Sequence, residues 1–346
     1  MKIYSFKNDY SVGAHPNILK ALCESNDTLQ QGYGDDEYSL YAAKLIREKL
    51  GASDAGIYLV SGGTQANLTV ISSILKPYQS VISAASGHIN HHETGAIEAT
   101  GHRIEALSTL DGKLSPMLIQ SYLTSVMEIH MRMPKLVYIS NSTEIGTHYT
   151  KLELVALWEF CQENNLYLFL DGARLASGLN AGDIKFSDLA KYTDVFYIGG
   201  TKNGALLGEA IVINNPLLRE DFGYNLKMRG ALLAKGRLLG IQFIELFKND
   251  LYFEIGAHLN RTAAELSEGI KKLGYELSID SKTNQIFPVF PNSVIAELEQ
   301  KYDFYVWEHL VGEKAVVRLV TNWAISNQIV QQFIADLAQC HSQQIN

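Results

Sequence analysis

Seven short apolar runs, each closed by turn residues and separated by segments of helical period, follow one another from about Ser53 to Ile213. They lie at residues 55–60, 80–83, 102–107, 136–140, 166–170, 195–199 and 210–213. Between them, residues 64–75 place Ala66, Leu68, Ile71, Ile74 and Leu75 on one helical face, and residues 151–163 read as a second helix. This alternation predicts parallel strands joined by crossover helices in one large α/β lobe.

Beyond Glu220 the pattern changes. Residues 232–247 and 255–273 read as long helices, followed by strands at 275–279, 286–290, 305–308 and 316–320 and a closing helix from Ser326. That predicts a smaller α+β lobe. A long helix often carries a chain between lobes, so the boundary is set inside the helix near Gly256. Residues 1–255 then form an N-terminal segment and the large domain, and residues 256–346 the small C-terminal domain. At 346 residues, 47% of them hydrophobic, the chain is long enough for two domains with a cleft between them.

Charge and cysteines narrow the partners. With 29 Lys+Arg against 37 Asp+Glu, a net charge of −8 and no basic run longer than Lys271-Lys272, the chain lacks the footprint of a nucleic-acid or membrane-surface binder. Cys23, Cys161 and Cys340 are odd in number and show no metal-ligand spacing, which fits a reducing cytoplasm and no metal site. Residues 1–7 turn polar before a signal core can form, and no stretch approaches the ~18 apolar residues of a membrane span.

Four sites carry chemistry. Ser61-Gly62-Gly63-Thr64 runs from a strand into a helix, offering backbone N–H groups, the positive end of a helix and two hydroxyls to a phosphate. The same residues also read as a tight turn in which Thr64 caps its helix. Ser86 to Glu93 holds His88, His91, His92 and Glu93; neighbours in one irregular stretch do not converge on a metal, and His91 and His92 read as solvated. His88 could instead lie flat over a planar ring. Asp171 follows five apolar residues, which puts it at the ligand-binding end of a parallel sheet, or else at a helix cap paired with Arg174. Lys202, framed by Gly200 and Gly204 after the next strand, can reach into a cleft and lose its proton by desolvation, although a surface lysine on a turn is the commoner case.

One cofactor wants all four. Pyridoxal 5′-phosphate (PLP) needs a phosphate cradle, a ring-stacking group, an acid for its pyridine nitrogen and a lysine for a Schiff base.

At these residues the sequence resembles the threonine aldolase and β-eliminating lyase group of fold type I PLP enzymes. The resemblance extends to Gly32-Tyr33-Gly34-Asp35-Asp36, Gly63 to Asn67, Asp171-Gly172-Ala173-Arg174 and Val317 to Thr321. It implies an aspartate aminotransferase-like large domain with a mostly parallel central sheet. By that resemblance Lys202 would anchor the cofactor, Asp171 would hold the pyridine nitrogen protonated, His88 would stack on the ring, and Ser61, Gly62, Gly63 and Thr64 would surround the phosphate. Arg174 and Arg318, with Ser11, would grip the substrate carboxylate, because forked guanidinium donors match it. The implied reaction is cleavage of L-threonine or L-allo-threonine to glycine and an aldehyde, with His88 a candidate base. The implied assembly is a homotetramer with Tyr33 contributed across an interface.

Two positions depart from the family pattern. Glu144 stands where many members carry a histidine, and a buried carboxylate there could act as base or acid. Ala234 stands opposite a phosphate-binding arginine, which Arg229 or Lys235 would replace, including from a neighbouring subunit. The rival readings are β-elimination or transamination by the same cofactor and, further off, a non-catalytic PLP binder. A nicotinamide enzyme lacks its dinucleotide fingerprint here.

Overall fold

The computed structural model describes residues 4–126 and 128–345; Met1 to Ile3, the opening of the polar N-terminus, lie outside them. All seven apolar runs become strands of one sheet: β1 (Gly56–Val60), β2 (Gln79–Ala84), β3 (Arg103–Leu107), β4 (Met133–Ser140), β5 (Tyr167–Asp171), β6 (Val195–Gly199) and β7 (Glu209–Ile213). Their order is β1-β7-β6-β5-β4-β2-β3. The run from β6 to β3 is parallel, and β7 alone is antiparallel to its neighbours.

The central strands β5, β6 and β7 read as nearly continuous apolar runs because both faces of the sheet are buried there, whereas the edge strand β3 leaves Arg103 and Ala106 exposed. Val137, Ile139, Leu168 and Leu170 join the core on one face, while Leu136, Tyr138, Phe169 and Tyr197 join the core on the other. Helix α1 (Glu37–Leu50) is capped by the Asp36 carboxylate on the Ser39 N–H at 2.7 Å. Helix α2 (Gly63–Ile74) follows β1, and α3 (Lys151–Glu163) starts in a capping box of Thr150 and Glu153.

Helix α4 (Arg237–Phe247) begins five residues later than the sequence predicts. Gly230 turns the chain with φ 69°, and Gly236 packs so closely on Gly34 that a Cβ would lie 2.9 Å from the Gly34 nitrogen. Helix α5 (Leu251–Lys272) begins four residues earlier than predicted, directly after Asp250 breaks the preceding helix at φ 61°. The smaller sheet contains β8 (Leu277–Ile279), β9 (Gln285–Pro291), β10 (Tyr305–Leu310) and β11 (Lys314–Val320), antiparallel in the order β10-β11-β9-β8. Helix α6 (Asn327–Ile345) closes the chain.

Gly256 lies inside α5. The first part of that helix, with Tyr252, Ile255 and Leu259, belongs to the large-lobe core; Ala263, Leu266 and Ile270 belong to the small-lobe core. The N-terminus corrects the expected grouping. Tyr4–Ser5 pairs with Tyr302–Asp303 and Phe6 is buried in the small-lobe core, so residues 4–6 pack with the C-terminal lobe. Among the described residues, no helix is long and apolar enough to cross a membrane.

Gly172 is the tightest point of the sheet's functional end, since a Cβ there would lie 1.9 Å from the Tyr197 carbonyl oxygen. Gly172→Ala is expected to lower the unfolding free energy by about 2 kcal/mol, the usual scale of overpacking, read from the urea midpoint.

Candidate active site

The carboxyl ends of β1, β4, β5 and β6 converge on two adjoining cavities of about 480 and 300 Å³, which share Tyr10, His88, Glu144, Arg174 and Lys202. At the floor of the inner cavity sits Asp171, the last residue of β5, buried. Its Oδ2 accepts from the Tyr138 hydroxyl at 2.5 Å and the Asn67 amide at 3.1 Å; its Oδ1 accepts from the Tyr197 hydroxyl at 2.5 Å and the Ala173 N–H at 2.9 Å. The strand pleat explains the two tyrosines. Tyr138 pairs in register with Phe169, two residues before Asp171, so it lies on the same face.

The turn after β1 resolves in favour of an open helix end. Gly62 is the N-cap of α2 with extended backbone and no side chain capping it, so Thr64 is not the cap. The Gly63, Thr64 and Gln65 N–H groups precede the first intrahelical bond, which Ala66 makes to Gly62. Ser61 differs from expectation: its hydroxyl donates to Gln65 Oε1 at 2.8 Å instead of standing free.

Lys202 follows β6 on the turn expected for it, half-buried and lining both cavities. Among the described residues its amine has no hydrogen-bond or ion-pair partner. Burial and then the nearby Arg174 charge lower its pKa, opposed by Asp9, Asp171 and Glu209.

His88 starts the short helix His88–His91 and donates its backbone N–H to Glu144 Oε1 at 2.9 Å. Its Nδ1 lies 2.9 Å from Oε1 of the buried Glu93, which also accepts from Asn67 at 2.7 Å. A neutral ring that donates through Nδ1 keeps Nε2 as an acceptor. Glu144 also accepts from the Ser140 hydroxyl on Oε1, at 2.7 Å. Burial raises its pKa above the ordinary carboxylate range, with Asp171 adding to the effect. His92, read from the sequence as merely solvated, lines the outer cavity, where partial burial and then the neighbouring His88 and His91 lower its pKa.

Arg174 is gripped bidentately by Asp9, Nε to Oδ2 at 2.7 Å and Nη2 to Oδ1 at 3.1 Å, which engages two of its five N–H donors. Asp9 is buried and also accepts from Asn284 at 2.9 Å. Burial would raise the Asp9 pKa, but Arg174, Lys202 and the two hydrogen-bond donors hold it below the ordinary range. Arg318 stacks on Trp307 at 4.8 Å and Tyr305 at 5.2 Å across the outer cavity. Among the described residues no group of three or more His, Cys, Asp or Glu side chains is placed to hold a metal ion.

Four expected residues lie apart from these two cavities. Ser11 is exposed and donates to Asn8 Oδ1 at 2.8 Å, while its neighbour Tyr10 lines both cavities instead. Tyr33 sits in a left-handed turn at φ 61°, under Lys227 at 4.5 Å. Its N–H meets the Ala234 carbonyl at 3.3 Å, so the Tyr33 loop and the loop carrying Lys235 touch. Arg229 Nε is buried without a hydrogen-bond partner, and Lys235 is exposed; neither lines the inner cavity. The residues that sequence reasoning did not assign are Tyr138, Tyr197, Asn67, Glu93, Asp9, Tyr10 and Glu209. Glu209 carried a visible signal, an acid directly ahead of the apolar run Ala210 to Ile213.

An uncapped helix end fits a phosphate, an unpartnered lysine fits an aldehyde, and a buried carboxylate at the neighbouring strand end fits a pyridine nitrogen. On this sheet they define a PLP-dependent enzyme of fold type I. The sequence model of the beta-eliminating lyase family matches residues 18–292, and the chain belongs to that family. The low specificity L-threonine aldolase of Pseudomonas aeruginosa is 30% identical over 339 residues, 96% of each chain. A solved threonine aldolase of Leishmania major is 48% identical, with a TM-score of 0.96 over 98% of this chain and 99% of that one. An aspartate aminotransferase of Thermus thermophilus shares the fold, with a TM-score of 0.70 at 16% identity over 98% of this chain and 92% of that one.

Asp9→Asn would leave the Arg174 charge buried and unpaired. The expected loss is about 3 kcal/mol of unfolding free energy at pH 7, by urea titration. Because the folded pKa of Asp9 is depressed, its contribution is present above the unfolded value and lost as pH falls through the folded one. The gap between the two proteins should therefore close in acid.

Proposed function

We propose that this protein cleaves L-threonine or L-allo-threonine to glycine and acetaldehyde. The observation that carries the reading is the meeting of Lys202, Glu144 and two guanidiniums, Arg174 and Arg318, around one cavity. That set suits an amino acid held by its carboxylate beside a lysine and a proton acceptor. The threonine aldolases of P. aeruginosa and L. major, similar along nearly the whole chain, support the same substrate.

PLP, when bound, supplies the electron sink for the cleaved bond. Each residue then has one task. Lys202 would supply the amine that anchors the cofactor, the N–H groups from Gly63 onward would hold its phosphate, and Asp171 would serve its ring nitrogen. His88, backed by Glu93, would cover the ring. Arg174 and Arg318 fix the substrate carboxylate, which turns the Cα–Cβ bond toward the orientation in which it breaks. Glu144 takes the β-hydroxyl proton on Oε2. Its Oε1 is tied to Ser140 and His88, and the burial that raises its pKa strengthens its affinity for that proton.

The assembly we infer is a homotetramer in the cytoplasm, in which the touching Tyr33 and Lys235 loops complete a neighbouring chain's site. The second reading, β-elimination, draws on the same raised pKa. A protonated Glu144 could donate to a leaving group.

Purified, PLP-loaded protein should release glycine and acetaldehyde in equal amounts from L-threonine or L-allo-threonine, and Lys202→Ala should abolish release. Glu144→Gln should lower kcat by about 100-fold with little change in KM. Keto acid and ammonia from serine, without glycine from threonine, would move the assignment to elimination.

A further inference from the structure

One buried acid has no task in that scheme. Glu209 opens β7, is buried, and pairs in register with Gly199 on one side and Val60 on the other. Those partners immediately precede the Lys202 turn and the Ser61-Gly62-Gly63 turn. The sheet therefore sets Glu209 between the lysine and the open helix end, and it lines the inner cavity with both.

Its hydrogen bonds come from the lysine's own turn. Glu209 Oε2 accepts from the Gly200 N–H at 2.8 Å, and the Thr201 hydroxyl bonds to the same carboxylate. Thr201 Oγ1 accepts from the Gly208 N–H at 3.0 Å, which turns its hydrogen toward Glu209. The two residues directly before Lys202 are thus tied to this acid. Yet among the described residues neither Lys202 nor Glu209 forms an ion pair. The cavity brings the two groups together without locking them in contact.

We infer that Glu209 and Lys202 share one proton, Glu209 holding it when the lysine nitrogen is neutral. Only a proton moves: the protonated lysine nitrogen and the carboxylate become the neutral nitrogen and the carboxylic acid, whether or not that nitrogen carries the cofactor, and no bond between heavy atoms forms or breaks. Lys202 needs a free lone pair to bond a carbonyl carbon and needs a proton when it is displaced, so a proton store fixed to its own turn serves both directions. The inference rests on the reading that Lys202 anchors the cofactor.

The surrounding charges allow the exchange. Burial foremost, then Asp171, raises the Glu209 pKa to about 8, against the Thr201 and Gly200 donors and the Lys202 charge. Burial and Arg174 lower that of Lys202, so the two groups shift toward each other, the condition under which neighbouring sites titrate together. The other titratable groups facing the pair are Asp171 on β5, Tyr197 on β6, Tyr252 on α5, Asp9 on the N-terminal segment and His92, which shares the outer cavity with Lys202 and feels its charge. Both tyrosines have raised pKa values and remain protonated throughout.

The test is the visible absorption of the PLP-loaded protein against pH, which reports the proton on the lysine nitrogen without turnover. Glu209→Gln keeps an oxygen for the Gly200 N–H and removes the charge. The midpoint should fall by about one pH unit and the broadened wild-type transition should narrow to a single proton. Thr201→Val, which leaves the carboxylate in place but removes a donor, should move the midpoint in the same direction by less. Rescue by Glu209→Asp toward the wild-type midpoint would support the shared proton. A wild-type midpoint and slope in Glu209→Gln would overturn it. Lys202→Ala separates the two readings: a titrating band that survives in this variant removes the lysine assignment itself, whereas a lost band with an unmoved Glu209→Gln midpoint removes only the shared proton.

Discussion

A carboxylate buried at a strand end must be hydrogen-bonded from every side, and at Asp171 that requirement organises the large lobe. Its four donors come from β4, from β6, from α2 and from its own turn. Satisfying them fixes the register of three strands and the position of the helix whose N-terminus faces the cavity. The constraint is strong because an unpaired charge in that place would be costly, whereas a saturated one is rigid. Asn67 extends it by bridging Asp171 to Glu93, and through Glu93 to His88.

A second regularity is that three basic side chains of the cavities have a buried acid near them, whereas Arg318 rests on aromatic rings. Asp9 holds Arg174, Glu93 orients His88, and Glu209 faces Lys202. The acids set the direction or the charge of their basic neighbours. Asp9 carries an additional consequence. It lies on the segment that leaves the small lobe after Phe6, and it bonds both Arg174 of the large lobe and Asn284 near β9. Arg174 is therefore positioned by the join between the lobes.

The sheet was legible because burial on both faces leaves a plain mark, runs such as Leu166 to Leu170 that hold no polar residue. The phosphate turn, Asp171 and Lys202 were legible because each interrupts such a run where the chain turns. The supporting groups were hidden for opposite reasons. Tyr138 and Tyr197 sit inside apolar strands and look like core until their hydroxyls are seen on Asp171. Asp9 stands 165 residues from Arg174, a pairing that no local pattern encodes. Ser11 draws its role from the family resemblance; in the fold its hydroxyl is taken by Asn8, and the neighbouring Tyr10 lines the cavity instead. Helix boundaries at 237 and 251 moved because single residues with positive φ and one close glycine contact decide them, and these are tertiary facts.

The central claim is that the strand ends form one PLP site anchored at Lys202. Borohydride reduction of the PLP-loaded protein, followed by proteolysis and mass spectrometry, tests it most directly. The account predicts one modified peptide, carrying the pyridoxyl group on Lys202. A stoichiometric label on any other lysine, with Lys202 unmodified, would contradict it.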